Sequence, residues 1–190
     1  GKFHLFTGFH FDLGFYAVSF GHSNPNHQHS KTNMRQRHTK MAGIEFSQTL
    51  FNRAKLLQAL QQDRVDYTVF WRRLSVAVRE SAHSTHAFEP VRDLFMHRDV
   101  FDAWQVRYLD RLGTTNRLAP GDTMLHTNPK YILRNHLGEL AIRAAQAKDF
   151  SRVTQLQHLL SQPFDEHPGL EPYAEFPPDW ASEIEISCSS

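Results

Sequence analysis

The sequence predicts a mainly α-helical protein, and three observations carry the prediction. From residue 43 onward apolar side chains recur every three or four positions, the period of a helix with one buried face. No stretch convincingly alternates apolar and polar residues with the period of two expected of a half-buried strand. Prolines crowd the end of the chain, at positions 163, 168, 172, 177 and 178, where they forbid a long helix. The chain therefore divides into an irregular, histidine-rich segment over residues 1–42, a helical region over 43–162 and a Pro-rich tail over 163–190.

The elements follow in order. The opening segment holds six of the thirteen histidines (His4, His10, His22, His27, His29, His38) and no sustained helical period. The first predicted helix presents Phe46, Leu50, Ala54, Leu57 and Leu60 as its apolar stripe. The second presents Tyr67, Phe70, Trp71, Leu74 and Val78, with Asp66 placed to cap its free N–H groups. The third presents Phe101, Trp104, Tyr108 and Leu112, and Gly113 suits the left-handed residue that follows a helix end. Trp71 and Trp104 read as core, because large rings bury most efficiently there. A fourth helix is predicted from Asn128, whose side chain would cap it. Pro129 would take the first helical position, where its missing N–H costs nothing, and Leu133, Leu137, Leu140, Ala141 and Ala144 would share a face. Arg134 and Asn135 interrupt that apolar pattern; they either satisfy backbone groups between packed helices or face a part of the fold outside this chain. The fifth helix begins at Asp149, carries Val153, Leu156, Leu159 and Leu160, and stops before Pro163. The tail is expected to run extended, with Phe164, Tyr173, Phe176 and Trp180 as anchors.

Composition excludes several classes of function. Lys and Arg number 21 against 20 Asp and Glu, a net charge of +1, so no overall field directs the chain to nucleic acid or to an anionic membrane. The basic run Met34-Arg35-Gln36-Arg37-His38-Thr39-Lys40 is short and reads as a solvated linker. The apolar stretch from Phe3 to Phe20 is interrupted by His4, His10, Asp12 and glycines, too often for a membrane span or a signal-peptide core. A single cysteine, Cys188, excludes an intrachain disulfide and suits a reducing compartment.

Candidate chemistry is sparse. His97-Arg98-Asp99 has the form of a kinase catalytic triplet, and Asp12-Leu13-Gly14 that of a metal-binding Asp-x-Gly. The catalytic loop also needs an Asn five residues after its Asp, and Trp104 stands there; the Asp-x-Gly should follow the triplet, and here it precedes it. Asp99 is therefore expected to be a helix cap. His27-Gln28-His29 lacks the further ligands of a zinc site. Gly8, Gly14 and Gly21 are spaced too widely for a phosphate-binding loop. No catalytic, cofactor-binding or metal-binding residue is assigned. Cys188 alone carries a candidate role. A thiol on a short polar tail is accessible to oxidation and exchange, or it is a passive terminal thiol, and Glu183 and Glu185, if near, would disfavour its thiolate.

Several runs, in their order and spacing, resemble the SelO family. They are Asp66-Tyr67-Thr68-Val69-Phe70, Val91-Arg92-Asp93-Leu94-Phe95 with Phe101-Asp102-Ala103-Trp104, and Asn128-Pro129-Lys130-Tyr131-Ile132-Leu133-Arg134-Asn135-His136-Leu137. Asp149-Phe150-Ser151, Pro163-Phe164-Asp165-Glu166, Pro177-Pro178-Asp179-Trp180-Ala181 and the Cys188-Ser189-Ser190 end continue the resemblance, which covers about residues 43–190. It implies the carboxy-terminal helical portion of a protein-kinase-like fold. It also implies an ATP- and Mg²⁺-dependent activity, the transfer of AMP to protein hydroxyls, whose machinery lies upstream of the matched part. In selenocysteine-using relatives the selenium stands third from the end, so the resemblance makes Cys188 a redox residue whose partner cysteine lies in the kinase core. It implies a cytoplasmic, bacterial-type protein with Cys in place of selenocysteine. Its partners would be the kinase-like core or the family's protein substrates, not nucleic acid or membrane. The expectation is a carboxy-terminal piece, inactive alone, with no ATP or Mg²⁺ of its own. The alternative is a helical interaction module, in which the pair 129–147 and 150–161 would be one repeat; no second copy is found at a fixed period.

Overall fold

A computed structural model describes residues 52–113 and 117–184, and they are helical with no strand among them. The histidine-rich segment, the basic run, Asp12-Leu13-Gly14 and Cys188 lie outside the described residues. Helix α1 covers residues 52–62. It buries Leu56, Ala59 and Leu60, while Ala54 and Leu57 from the predicted stripe face outward. Adjacent leucines at 56 and 57 offer two candidate faces, and the partner helices select between them. Phe46 and Leu50 lie outside the described residues.

Helix α2, Tyr67–Glu80, forms as predicted: Asp66 Oδ1 accepts the Val69 N–H at 2.9 Å, and Phe70, Leu74 and Val78 are fully buried. Such a cap contributes about 1 kcal/mol. A turn-rich link leads to the short helix α3, Glu89–Arg92. Val91 and Phe95 enter the core there, and Arg92 reaches α4, Arg98–Leu112, through two bonds to Asp102 at 2.7 and 2.8 Å. Phe70, Phe95, Phe101, Trp104 and Tyr108 form a continuous aromatic path, with stacked pairs at 4.8 Å (Phe95–Phe101) and 4.7 Å (Trp104–Tyr108). Each buried ring contributes about 1.5–3 kcal/mol by leaving water. Helix α4 ends as expected at Gly113, whose φ of +79° an L-residue would resist. Its start corrects an expectation. His97, not Asp99, occupies the N-cap position, and Asp99 lies exposed in the first turn, because a carboxylate from the end of α1 takes the His97 N–H.

Helix α5, Leu118–Thr127, is not among the helices expected from the sequence, and it contains the turn-favouring pair Pro120-Gly121. Pro120 is tolerated because it lies in the first turn, where N–H groups have no helical partner. Gly121 is required because a Cβ there would lie 2.6 Å from the Arg79 Cα. The two backbones touch, with Gly121 beside Arg79 and Asn128 beside Ser75, so α5 runs antiparallel to α2. Asn128 thus closes α5 instead of opening the fourth predicted helix. Its N–H donates to the Met124 carbonyl at 2.8 Å, and its backbone is extended (φ −101°, ψ 106°), the conformation a following proline favours. Residues 128–134 stay non-helical, and α6 spans Asn135–Gln146. Lys130 and Tyr131 N–H both donate to the Pro163 carbonyl, at 2.8 and 3.1 Å, a tertiary bonding that displaces the local helix. Leu137 and Ala141 are buried as expected, whereas Leu133, now ahead of the helix, is exposed.

Helix α7, Ser151–Ser161, buries Leu156 and Leu159 but leaves Val153 and Leu160 substantially exposed. Leu137, Ala141 and Leu156 make a second, smaller core on which Tyr173 packs. The tail does not run simply extended. It contains two 3₁₀ turns, Glu171–Ala174 and Asp179–Glu183. Of its four expected anchors Tyr173 is the one in a core, its hydroxyl donating to Gln155 Oε1 at 2.6 Å. Phe164, Phe176 and Trp180 are 37%, 51% and 42% exposed; Phe176 lies under the Arg73 guanidinium and Trp180 edge-on to His136.

Candidate functional site

A connected set of polar side chains lies where α2, the end of α5, residues 128–134 and the start of the tail converge. Arg72, two positions from the core residue Phe70 on α2, is nearly buried. One of its terminal nitrogens donates to the carbonyls of Leu125 and Asn128, at 3.0 and 3.2 Å; these would otherwise end α5 unpaired. The other donates to the Phe164 carbonyl at 3.1 Å and to Glu166 Oε1 at 2.9 Å. Lys130 donates to the second oxygen of Glu166. Its bond from Lys130 leads the causes that hold the Glu166 carboxyl below the usual range, with Arg72 adding to it and burial opposing. Burial alone would lower the Lys130 ammonium, but its bond to Glu166 raises it on balance. Below this, Asn128 Nδ2 donates to Ser75 Oγ at 2.9 Å, and Ser75 Oγ donates to the Trp71 carbonyl at 2.7 Å.

A second ion pair lies at the start of α2. Arg134 donates to both Asp66 oxygens, at 2.7 and 3.2 Å, with the two side chains only 9% and 17% exposed. Burial pushes the Asp66 carboxyl upward, yet its bonds from Arg134 and from the Val69 N–H hold it below its ordinary value. Arg134 pairs with a carboxylate and not with backbone groups between packed helices, and Asn135 is exposed. Trp71 Nε1, Tyr131 Oη and Arg134 Nε are buried without a hydrogen-bond partner among the described residues.

The kinase-like triplet is not assembled as a catalytic loop. His97 meets Asp63, Arg98 donates to Asp93 at 2.8 Å, and Asp99 is exposed, while Trp104 is in the core. Arg72, Lys130 and Glu166 were missed in the sequence. Lys130 and Glu166 stand in the Asn128 and Pro163 runs, Arg72 stands in none of the runs, and Arg72 and Glu166 are 94 residues apart.

Magnesium needs oxygen ligands held around it, commonly carboxylates together with substrate phosphates. Among the described residues no three His, Cys, Asp or Glu side chains gather in that way. Asp63, Asp66, Asp93, Asp102, Asp122, Glu139 and Glu166 are each engaged by a basic side chain. Most of these pairs join different elements and act as cross-braces.

The sequence profile of the family described as "Protein adenylyltransferase SelO" matches residues 22–161. The chain belongs to the SelO family. The SelO match starts ahead of residue 43, where the resemblance in the sequence was placed, and stops at the last residue of α7. The chain is 56% identical over 135 residues to "Protein nucleotidyltransferase YdiU" of Albidiferax ferrireducens, covering 71% of this chain and 26% of that protein. It is 54% identical, with the same coverage, to the protein of that name from Variovorax paradoxus. The one from Cupriavidus metallidurans is 51% identical over 138 residues, 71% of this chain and 25% of its own length. The chain thus spans about a quarter of the length of these SelO-family relatives. No helix among the described residues is long and apolar enough to cross a membrane.

Proposed function

We propose that these residues form a helical scaffold of a SelO-type enzyme that transfers AMP from ATP, with magnesium, to hydroxyl side chains of other proteins. The observation that carries this reading is the family match across α1 to α7, supported by relatives that bear the name nucleotidyltransferase. Nucleotidyl transfer depends on positioned metal ligands and phosphate-cradling donors. In this reading those groups belong to a kinase-related core, in the part of the relatives that this chain does not span, and the helices brace that core. The ion pairs described above hold the braces rigid. ATP and Mg²⁺ bind the core, the partners are that core and the protein substrates, and the setting is the cytoplasm. The Pro-rich tail crosses the surface as a strap and carries Cys188 as its redox thiol. The family match favours this reading over a free-standing interaction module.

The 190 residues alone are then inactive. Purified chain incubated with ATP, Mg²⁺ and an acceptor protein is expected to leave the acceptor at background AMP content by intact-mass measurement. AMP incorporation above that background overturns the assignment of these residues to scaffolding.

A further inference from the structure

Asp63 follows the last residue of α1, and its side chain is only 2% exposed. Both of its oxygens face one residue. Oδ2 accepts the backbone N–H of His97 at 2.9 Å, and Oδ1 lies 2.5 Å from His97 Nδ1. His97 holds the N-cap position of α4 but makes no cap bond with its own side chain. Asp63, just beyond α1, instead accepts the backbone N–H of this N-cap residue. The imidazole is half exposed, at 50%, so its proton exchanges with solvent while the carboxylate beneath stays shielded. Around the ring are Gln62 Nε2, 3.4 Å from Nδ1, and the carboxylate of Asp99; the neighbouring Arg98 is turned to Asp93.

We propose that the Asp63–His97 pair is a pH-operated latch that fastens the end of α1 to the start of α4 in mild acid and slackens at alkaline pH. With the ring protonated, Nδ1–H donates to Oδ1 and the shielded carboxylate has a full counter-charge. Loss of the proton to water removes that charge. The single remaining ring proton then resides on Nδ1, preserving a weaker bond, or on Nε2, leaving a lone pair against Oδ1. In both forms an almost buried carboxylate is left without its cation, a costly state.

The direction follows from the two groups. The bond from Asp63, then its charge and that of Asp99, raise His97 above its ordinary 6.5. Its contribution is complete below that ordinary value and is lost as pH climbs through the raised one. Burial pushes Asp63 upward, but the His97 N–H, imidazole and charge together hold it below 3.8, so its contribution appears above 3.8 and is lost as pH falls through the lowered value. The latch is therefore closed between these limits and opens on the alkaline side.

Hydrogen exchange of the 190-residue chain, followed by mass spectrometry from about pH 5.5 to about pH 8.5 and corrected for intrinsic rates, tests it. Amides of residues 52–62 should lose protection several-fold as pH rises, while those of Ser151–Ser161 should not respond to this transition. His97→Asn keeps an N–H donor near Oδ1 but cannot titrate, and should give a flat profile over residues 52–62. A flat profile in the unsubstituted chain, or a pH response unchanged in His97→Asn, overturns the latch. Should the variant not fold, the His97 ring resonance of the unsubstituted chain still decides: its NMR midpoint must lie above 6.5, and a midpoint at or below that value sinks the proposal.

Discussion

Lys148 and Arg64 each end a helix at positive φ, 68° and 53°, where glycine is the usual occupant. At the end of α6 the Asp149 N–H reaches back to the Ala144 carbonyl and the Lys148 N–H to that of Ala145, both at 2.9 Å. At the end of α1 the Val65 N–H reaches the Leu60 carbonyl at 2.9 Å in the same manner. An L-residue in the left-handed conformation costs about 1–2 kcal/mol relative to the right-handed one. Lys148→Gly should therefore stabilise the chain by about 0.5 kcal/mol, after the larger freedom of glycine in the unfolded state is subtracted. A higher urea midpoint at unchanged slope is the expected reading. The stop of α4 was legible, because Gly113 is a glycine. The stops of α1 and α6 were not, because a lysine or arginine carries no mark of the conformation that its neighbours impose.

Among the helices, α5 shows best how local signals lose to packing. Pro120-Gly121 argues for a turn, yet the helix forms because the proline sits harmlessly in its first turn and the glycine lets α5 lie against α2. Gly121→Ala would drive a Cβ into the Arg79 backbone at 2.6 Å, where no flexible side-chain end can give way. The expected cost is about 2 kcal/mol, within the range for overpacking, although alanine is the better helix former. Thermal unfolding by circular dichroism should show the lower midpoint. The Asn128 segment is the converse case. Its cap residue, proline and apolar spacing all describe a helix, but seven residues stay non-helical because Lys130 and Tyr131 bond to Pro163 instead. By contrast the buried aromatic faces of α2 and α4 were legible at Phe70, Phe101 and Trp104, although Tyr67 of the expected stripe is 47% exposed.

The molecule as described has a larger core beneath α1 to α4 and a smaller one between α6, α7 and Tyr173, and polar pairs tie them together. Asp66–Arg134 is the chief tie, joining the cap of α2 to the residue before α6. Arg134→Ala should cost about 2–3 kcal/mol, less than a fully buried pair because Asp66 keeps its backbone donor and some solvent. The pH response gives a second reading. Asp66 is held below 3.8, so its share of stability is present above 3.8 and lost as pH falls through the lowered value. The acid limb of a stability–pH curve should accordingly be shallower in Arg134→Ala than in the parent chain.

Helical class, the aromatic core residues Phe70, Phe101 and Trp104, the Asp66 cap and the family could all be read from the order of residues, because each depends on spacing within one element or one short run. The partner of Arg134, the meeting of Arg72 with Glu166, the helical state of residues 118–127 and the bond from the His97 N–H to Asp63 appeared only in three dimensions. These depend on groups 34 to 94 residues apart, and such bonds form only after many weak burial terms have brought the helices together.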